Sequence, residues 1–303
     1  MKASIILSFT LGLSSLSPAQ YIYPPTKTVD SSDTYFGVTY KDPYRWLEYL
    51  KQPQVETWFK QQATYTDSVL NNLNGRDELM AEWKQLDELG PALIYGEVYE
   101  NGRVFYRKIN PGENISKIYY REGINGPEQL LFDPTTYIPG MTLSVRNFNP
   151  SYDGQKIAIA YTMQGAELPV VKIMETDTKQ FLTDSLYPAF FSSWTFDNSG
   201  FLYGWIKSTD LKDPTALLNS KTKLHILGTE ISADPDFFSN VSYPELDIAP
   251  EAEPFAFLKE GSKDYVFSEL GGTQNELTEY YAPVKQLHSK KSHGKYYAKP
   301  LIV

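Results

Sequence analysis

Asp153-Gly154-Gln155-Lys156-Ile157-Ala158-Ile159-Ala160 decides the architecture. Asp and Gly form a turn pair, because the Asp side chain bonds its own backbone and Gly accepts a positive φ. The Ile/Ala run behind them has the length and composition of a buried strand. The same layout of a Gly-containing turn followed by an apolar strand occurs three more times. It appears at Asn101-Gly102-Arg103-Val104-Phe105-Tyr106, at Asn198-Ser199-Gly200-Phe201-Leu202-Tyr203, and at Glu260-Gly261 before Tyr265-Val266-Phe267.

Each turn–strand pair is followed by a second strand pattern: Lys117 to Arg121, Val170 to Met174, Lys223 to Leu227, and Glu279 to Tyr281. A shorter apolar edge follows the first three, at Leu130 to Phe132, Gln180 to Leu182 and Phe237 to Phe238. A turn–strand–strand–edge unit recurring at about 40–50 residues is the signature of a β-propeller. Each four-stranded unit has two apolar faces and needs a neighbour on each side to bury them. A β-sandwich built of regular hairpins is the competing arrangement. Recurrence with similar internal spacing favours the propeller. The expected fold is therefore mainly β, with an incomplete propeller of about four blades over residues 91–303.

Ahead of the repeats the pattern changes. Residues 21–40 carry prolines, threonines and alternating aromatics and read as extended chain. Asp42-Pro43 predicts a helical turn, with Asp as N-cap and Pro at the first helical position. Pro53 starts a longer helix whose Val55, Trp58, Phe59, Gln62, Ala63, Thr66, Val69, Leu70 and Leu73 recur at three- and four-residue steps. Asn74-Gly75 ends it. Asp77 begins another helix with Leu79, Met80, Trp83, Leu86 and Leu89, closed by Gly90-Pro91. The composition shift near residue 90 marks the expected boundary between a 20–90 segment and the repeats. Trp46 and Trp58 read as core.

The extreme N-terminus is laid out as a secretory signal peptide. Met1-Lys2 is a basic start, Ile5 to Leu16 is an apolar stretch too short to span a bilayer, and Ser17-Pro18-Ala19 sets small residues before a cleavage point. Residues 1–19 are thus expected to be removed, and the protein to be periplasmic or extracellular. No later stretch reads as membrane-spanning. The 303 residues contain no cysteine, which excludes a disulfide framework, thiol catalysis and zinc–thiolate sites. The net charge of −9 argues against a nucleic-acid partner.

Candidate chemistry is sparse. No Gly-x-Ser-x-Gly elbow occurs, and no phosphate-cradling loop precedes a helix. The three histidines are His225, His288 and His293. His225 lies in an alternating strand and reads as a packed or surface strand residue rather than a general base. His288 and His293 lie in a polar basic stretch without a nearby carboxylate, so no metal site is expected. Asp133, Asp153, Asp197 and Asp213 sit beside Pro, Gly or Ser, and turn chemistry accounts for them. Glu251 and Glu253 read as solvated loop acids. No catalytic, cofactor-binding or metal-binding residue is assigned, and no cofactor is expected.

Val29-Asp30, Tyr35-Phe36-Gly37 and Asp42-Pro43-Tyr44-Arg45-Trp46-Leu47-Glu48 resemble the N-terminal signature of the prolyl oligopeptidase family of serine peptidases. Leu130-Leu131-Phe132-Asp133-Pro134, Pro150 to Gly154, Leu182-Thr183-Asp184-Ser185-Leu186, Trp194 to Asp197, and Lys223-Leu224-His225-Ile226-Leu227-Gly228-Thr229 follow in the family's order. The resemblance runs from Tyr21 to Leu246 and fades beyond. It implies a seven-bladed propeller inserted after the N-terminal arm and helices of an α/β-hydrolase domain. The catalytic Ser, Asp and His would lie beyond the propeller, outside these 303 residues, and the chain would stop at the start of a fifth blade. The implied function is that of the N-terminal segment of a secreted serine endopeptidase, inactive alone. The implied partners are the hydrolase domain within the same protein and a short proline-containing peptide, with no nucleic acid and no membrane. A stand-alone secreted propeller acting as a binding module is the alternative.

Overall fold

The computed structural model describes residues 21–272 and 277–288. The expected signal peptide and the expected start of a fifth repeat lie outside them. The described residues divide into two compact units between Ala81 and Glu82.

In the first unit the stretch expected to be extended is so, and part of it folds back on itself as a hairpin, β1 (Ser32–Tyr35) and β2 (Val38–Lys41). Phe36 (φ 52°) and Gly37 (φ 82°) both sit in the left-handed region, the backbone that a two-residue hairpin turn requires. Phe is uncommon there, so the turn escaped a reading based on Asn-Gly or Asp-Gly pairs. The turn after Asp42 is also shorter than expected. It is a 3-10 turn, Arg45–Glu48, with Tyr44 at the N-cap position. Asp42 acts one step earlier, its Oδ1 accepting the Tyr44 N–H at 3.1 Å.

Helix α1 (Pro53–Asn71) begins at the proline expected to start it. The arm lies along this helix through hydrogen bonds from Trp58 Nε1 to Thr26 Oγ1 (2.9 Å) and from Lys27 Nζ to Gln54 Oε1 (2.6 Å). Trp46 is buried and meets Trp58, which is half-buried, edge to face. Of the stripe predicted for the first helix, Trp58, Gln62 and Val69 are half-buried, while Phe59, Leu70 and Leu73 are exposed. Val55 is the buried residue of α1, and α2 (Arg76–Leu89) has none.

The second unit is a succession of antiparallel meanders. Sheet 1 holds β3 (Leu93–Glu100), β4 (Arg103–Ile109), β5 (Lys117–Glu122) and β6 (Gln129–Phe132). Sheet 2 holds β7 (Leu143–Pro150), β8 (Lys156–Met163), β9 (Val170–Glu175) and β10 (Phe181–Leu186). Sheet 3 holds β11 (Phe190–Trp194), β12 (Gly200–Trp205), β13 (Lys221–Ile226) and β14 (Asp236–Phe238). Sheet 4 shows three strands among the described residues, β15 (Glu253–Leu258), β16 (Tyr265–Gly271) and β17 (Thr278–Pro283). Within every sheet the strands pair in chain order.

Face-to-face packing explains the apolar run Ile157-Ala158-Ile159-Ala160. Ile157, Ile159 and Tyr161 on β8 join a core shared with Phe105, Ile118 and Phe132 of sheet 1. Ala158 and Ala160 point to the opposite face, where Phe191, Trp194 and Phe201 of sheet 3 fill the space that small residues leave. A strand buried on both faces reads as a continuous apolar run, and here large and small residues alternate because the partner sheets differ in bulk. A third core joins Leu202, Leu224 and Phe238 of sheet 3 to Ala256, Leu258 and Val266 of sheet 4.

The repeated turns have different physical origins. Asn101 (φ 46°) and Gly102 (φ 84°) make a left-handed pair. In the third unit the left-handed residue is Asn198 (φ 56°), and Gly200 serves close approach instead. A Cβ on Gly200 would stand 2.2 Å from the His225 carbonyl oxygen.

Candidate functional site

Among the described residues of the second unit, polar side chains gather in a buried cluster at the seam between sheets 2 and 3, and a cleft opens at the seam between sheets 3 and 4.

His225 stands at the centre of the cluster. It lies on β13, pairs with Phe201 of β12, and is fully buried. Its Nδ1 is 2.9 Å from Asp234 Oδ1, in the loop ahead of β14, and its Nε2 is 2.9 Å from Asp184 Oδ1 on β10. Asp184 also accepts the Gly228 N–H at 2.6 Å, and Asp234 accepts the Tyr203 hydroxyl at 2.8 Å. Burial opposes a charge on the ring, but hydrogen bonds to Asp234 and Asp184 outweigh it and hold the imidazole above its ordinary value. Burial and then Asp234 push the Tyr203 phenol well up, so it stays a hydrogen-bond donor.

This geometry excludes the role of general base in a nucleophilic triad. Both ring nitrogens face carboxylates, so neither is free to take a proton from a hydroxyl. The structure thus places His225 as a packed strand residue. It also brings in Asp184, Asp234 and Tyr203, which sequence reasoning did not group, since they lie 41, 9 and 22 residues away along the chain. The side chain of His288 and all of His293 lie outside the described residues. Among the described residues no group of His, Asp and Glu is arranged to hold a metal.

The turn acids do turn work. Asp133 Oδ1 accepts the Thr135 N–H and hydroxyl at 2.9 and 2.6 Å. Asp153 Oδ1 accepts the Ser151 hydroxyl and Gln155 N–H, Asp197 the Thr195 hydroxyl, and Asp213 the Thr215 N–H. Glu251 and Glu253 are exposed, but Glu253 opens β15 rather than lying in a loop.

The cleft has a volume of about 440 Å³. Phe190, Trp205, Ile206 and Leu217 line it from sheet 3 and the loop after β12, and Pro254, Phe255, Glu253 and Glu269 line it from sheet 4. Lys221, also on its wall, is held at 2.6 Å by Asp236 and stands 4.9 Å over the Trp205 ring. Burial and then Glu279 raise the Glu269 carboxyl above its ordinary value. Such a wall of rings and aliphatic groups with a few carboxylates can hold a peptide side chain, and it contains no nucleophile–base pair. The seam beneath is stitched by hydroxyls. Thr222 Oγ1 donates to the Pro254 carbonyl and accepts the Ala256 N–H, both at 3.0 Å. Ser192 donates to the Ala256 carbonyl at 2.6 Å, and Ser193 accepts the Leu258 N–H at 2.8 Å.

Comparison with known proteins follows the same residues. The family model described as "Prolyl oligopeptidase, N-terminal beta-propeller domain" matches residues 24–286. The prolyl endopeptidase of Elizabethkingia meningoseptica is 28% identical over 263 residues, covering 84% of this chain and 36% of that protein. The prolyl endopeptidase of Elizabethkingia miricola is 27% identical over 225 residues, covering 73% and 32%. The chain therefore spans about a third of the length of these curated relatives. A solved structure from a mechanistic study of two prolyl endopeptidases superposes with a TM-score of 0.72 at 28% identity, over 86% of this chain and 38% of that one. Prolyl oligopeptidase B from Galerina marginata, bound to a 25mer macrocyclization substrate, shares the fold with a TM-score of 0.71 at 20% identity, over 90% of this chain and 41% of that one. The chain belongs to the prolyl oligopeptidase family, and residues 24–286 match its N-terminal β-propeller domain.

Proposed function

We propose that this chain is the N-terminal part of a secreted prolyl oligopeptidase-like serine endopeptidase, and that its four sheets are blades of a seven-bladed propeller covering the active site of a hydrolase domain. The observation that carries the reading is the reach of the family match, which takes in the arm and helix α1 as well as the sheets. A free binding propeller has no use for an arm and amphipathic helices. A hydrolase domain would give them a partner surface, and Trp83 and Leu86 of α2, each 61% exposed, are residues such a domain would cover.

The reaction would be hydrolysis of a peptide bond after proline. A Ser attacks, a His moves the proton, an Asp orients the His, and backbone donors hold the oxyanion. Those groups would come from residues beyond the present 303. The contribution of this chain would be steric and selective. The sheets would restrict access to short peptides, and the cleft at the seam of sheets 3 and 4 would receive part of the bound peptide.

Reading the coding DNA past Val303 tests the proposal. Support is an in-frame continuation to a Gly-x-Ser-x-Gly turn, together with turnover of a proline-linked chromogenic peptide by the continued protein and its loss on serine-directed inhibition. The 303 residues alone should show no turnover. A stop codon after Val303, with a compact monomeric product, would instead favour the stand-alone binding module.

A further inference from the structure

Three seams join the four sheets, and they are held by different chemistry. Between sheets 1 and 2, Asn101 Nδ2 donates to the Asp153 carbonyl, and the Arg103 guanidinium donates to the Gly154 carbonyl and pairs with Asp177 at 2.6 Å. Between sheets 3 and 4 the cross-seam bonds come from the hydroxyls of Thr222, Ser192 and Ser193. No histidine is among these groups. The seam between sheets 2 and 3 is crossed by Asp184, whose Oδ1 lies 2.9 Å from His225 Nε2 and accepts the Gly228 N–H at 2.6 Å. Trp194 Nε1 to the Asn149 carbonyl and the Tyr152 N–H to Asn198 Oδ1 add neutral bonds there.

We propose that Asp184, His225 and Asp234 form a buried ionic latch that ties sheet 2 to sheet 3 only while the imidazole carries both its protons, so that alkalinisation releases this seam before the other two.

The argument is one of donors and acceptors. A doubly protonated ring offers an N–H to each carboxylate, and an imidazolium between two carboxylates leaves one net negative charge. A neutral ring has one N–H. One carboxylate then faces a lone pair, with both acids almost wholly inside the protein, their side chains 3% and 2% exposed. Leaving a buried charge without its partner is costly. The groups facing the ring are Asp184 from β10, Asp234 from the loop before β14, and the Phe201 ring from β12 at 5.2 Å. Behind Asp234 stands the Tyr203 hydroxyl, and beyond it Asp236, itself paired with Lys221. No cation among these can replace the lost proton. Because the folded ring titrates above the unfolded one, the latch contributes fully below about 6.5 and is lost as pH rises through the folded value.

The test is a titration of the 303-residue chain carrying nitrogen-15 in its histidines, read by NMR, beside amide hydrogen exchange. The His225 ring should be doubly protonated at neutral pH, with a midpoint above the ordinary imidazole value. The Gly228 amide, bonded to Asp184, should lose protection through that midpoint, while the Ala256 and Leu258 amides at the hydroxyl seam keep theirs. Asp184→Asn should lower the midpoint, and His225→Gln should abolish the alkaline step at Gly228. The measurements on the unaltered chain decide the matter even if a variant fails to fold. A ring that is singly protonated at neutral pH, or simultaneous loss of protection at Gly228, Ala256 and Leu258, would overturn the proposal.

Discussion

The Trp46 indole N–H donates to the Lys27 carbonyl at 3.0 Å, and the Lys27 ammonium stands 4.8 Å over the same ring. One side chain thus holds the arm by its edge and by its face, and carries the buried aromatic contact with Trp58. Trp46→Ala should destabilise the first unit by about 3–5 kcal/mol. Trp46→Phe, which keeps a ring and loses the hydrogen bond, should cost about 1 kcal/mol. Urea unfolding with limited proteolysis of the arm measures both, and equal effects would show that the ring does not anchor the arm.

Thr222 is fully buried and serves two backbone groups of β15 with one hydroxyl. Thr222→Val keeps the shape and orphans the Ala256 N–H and the Pro254 carbonyl. The expected cost is about 1–3 kcal/mol, seen as a lower denaturation midpoint. A neutral result would mean that water reaches the seam.

Gly200→Ala should be among the most damaging small substitutions, because the new methyl would stand 2.2 Å from a carbonyl oxygen in the neighbouring strand. Gly261→Ala provides the control, with nothing within 4 Å of its Cβ position. Circular dichroism melts should separate the two clearly. Similar melts would mean that β12 and β13 can part without cost.

Glu100 supplies a second pH dependence. Burial and then Glu260 push its carboxyl up to about 7 from 4.5. Between those values the folded state binds more protons than the unfolded chain, so stability falls as pH rises across that range. Glu100→Gln should flatten this slope and leave the protein more stable than the parent at pH 8. Chemical denaturation at a series of pH values reads the effect, and an unchanged slope would remove Glu100 as its source.

Helix α2 exposes Met80, Trp83, Leu86 and Leu89, and contiguous apolar surface of this kind promotes association. A Trp83→Lys, Leu86→Lys double variant should bind less hydrophobic dye and scatter less light, with a melting temperature close to that of the parent. A steep loss of stability would show that these side chains are packed in solution.

Local chemistry made much of this architecture legible. The strands after Asn101-Gly102, Asp153-Gly154 and Asn198-Ser199-Gly200 begin where turn residues said they should, and α1 starts at Pro53. The Phe36-Gly37 hairpin was missed because a left-handed Phe has no compositional signal. Asp42-Pro43 signals a helical turn without specifying its type, and the turn that forms, Arg45–Glu48, is 3-10. Asp133, Asp153, Asp197 and Asp213 bond within their own turns, so their role was visible in neighbouring residues.

Turn preference and side-chain periodicity act over a few residues, so the turn–strand repeat and the helices are legible in the chain alone. It also carried enough of the family's pattern, in Asp42-Pro43-Tyr44-Arg45-Trp46-Leu47-Glu48 above all, to name the family before any coordinates. Which residues meet across a seam depends on how the sheets stack. Ala158 and Ala160 are small because Trp194 and Phe201 occupy the space beside them. His225 is flanked on both ring nitrogens because β10 of the preceding sheet delivers Asp184 to its far side. Nothing in a spacing of 41 residues announces that contact. It arises when two sheets, each specified locally, stack face to face to bury their apolar sides.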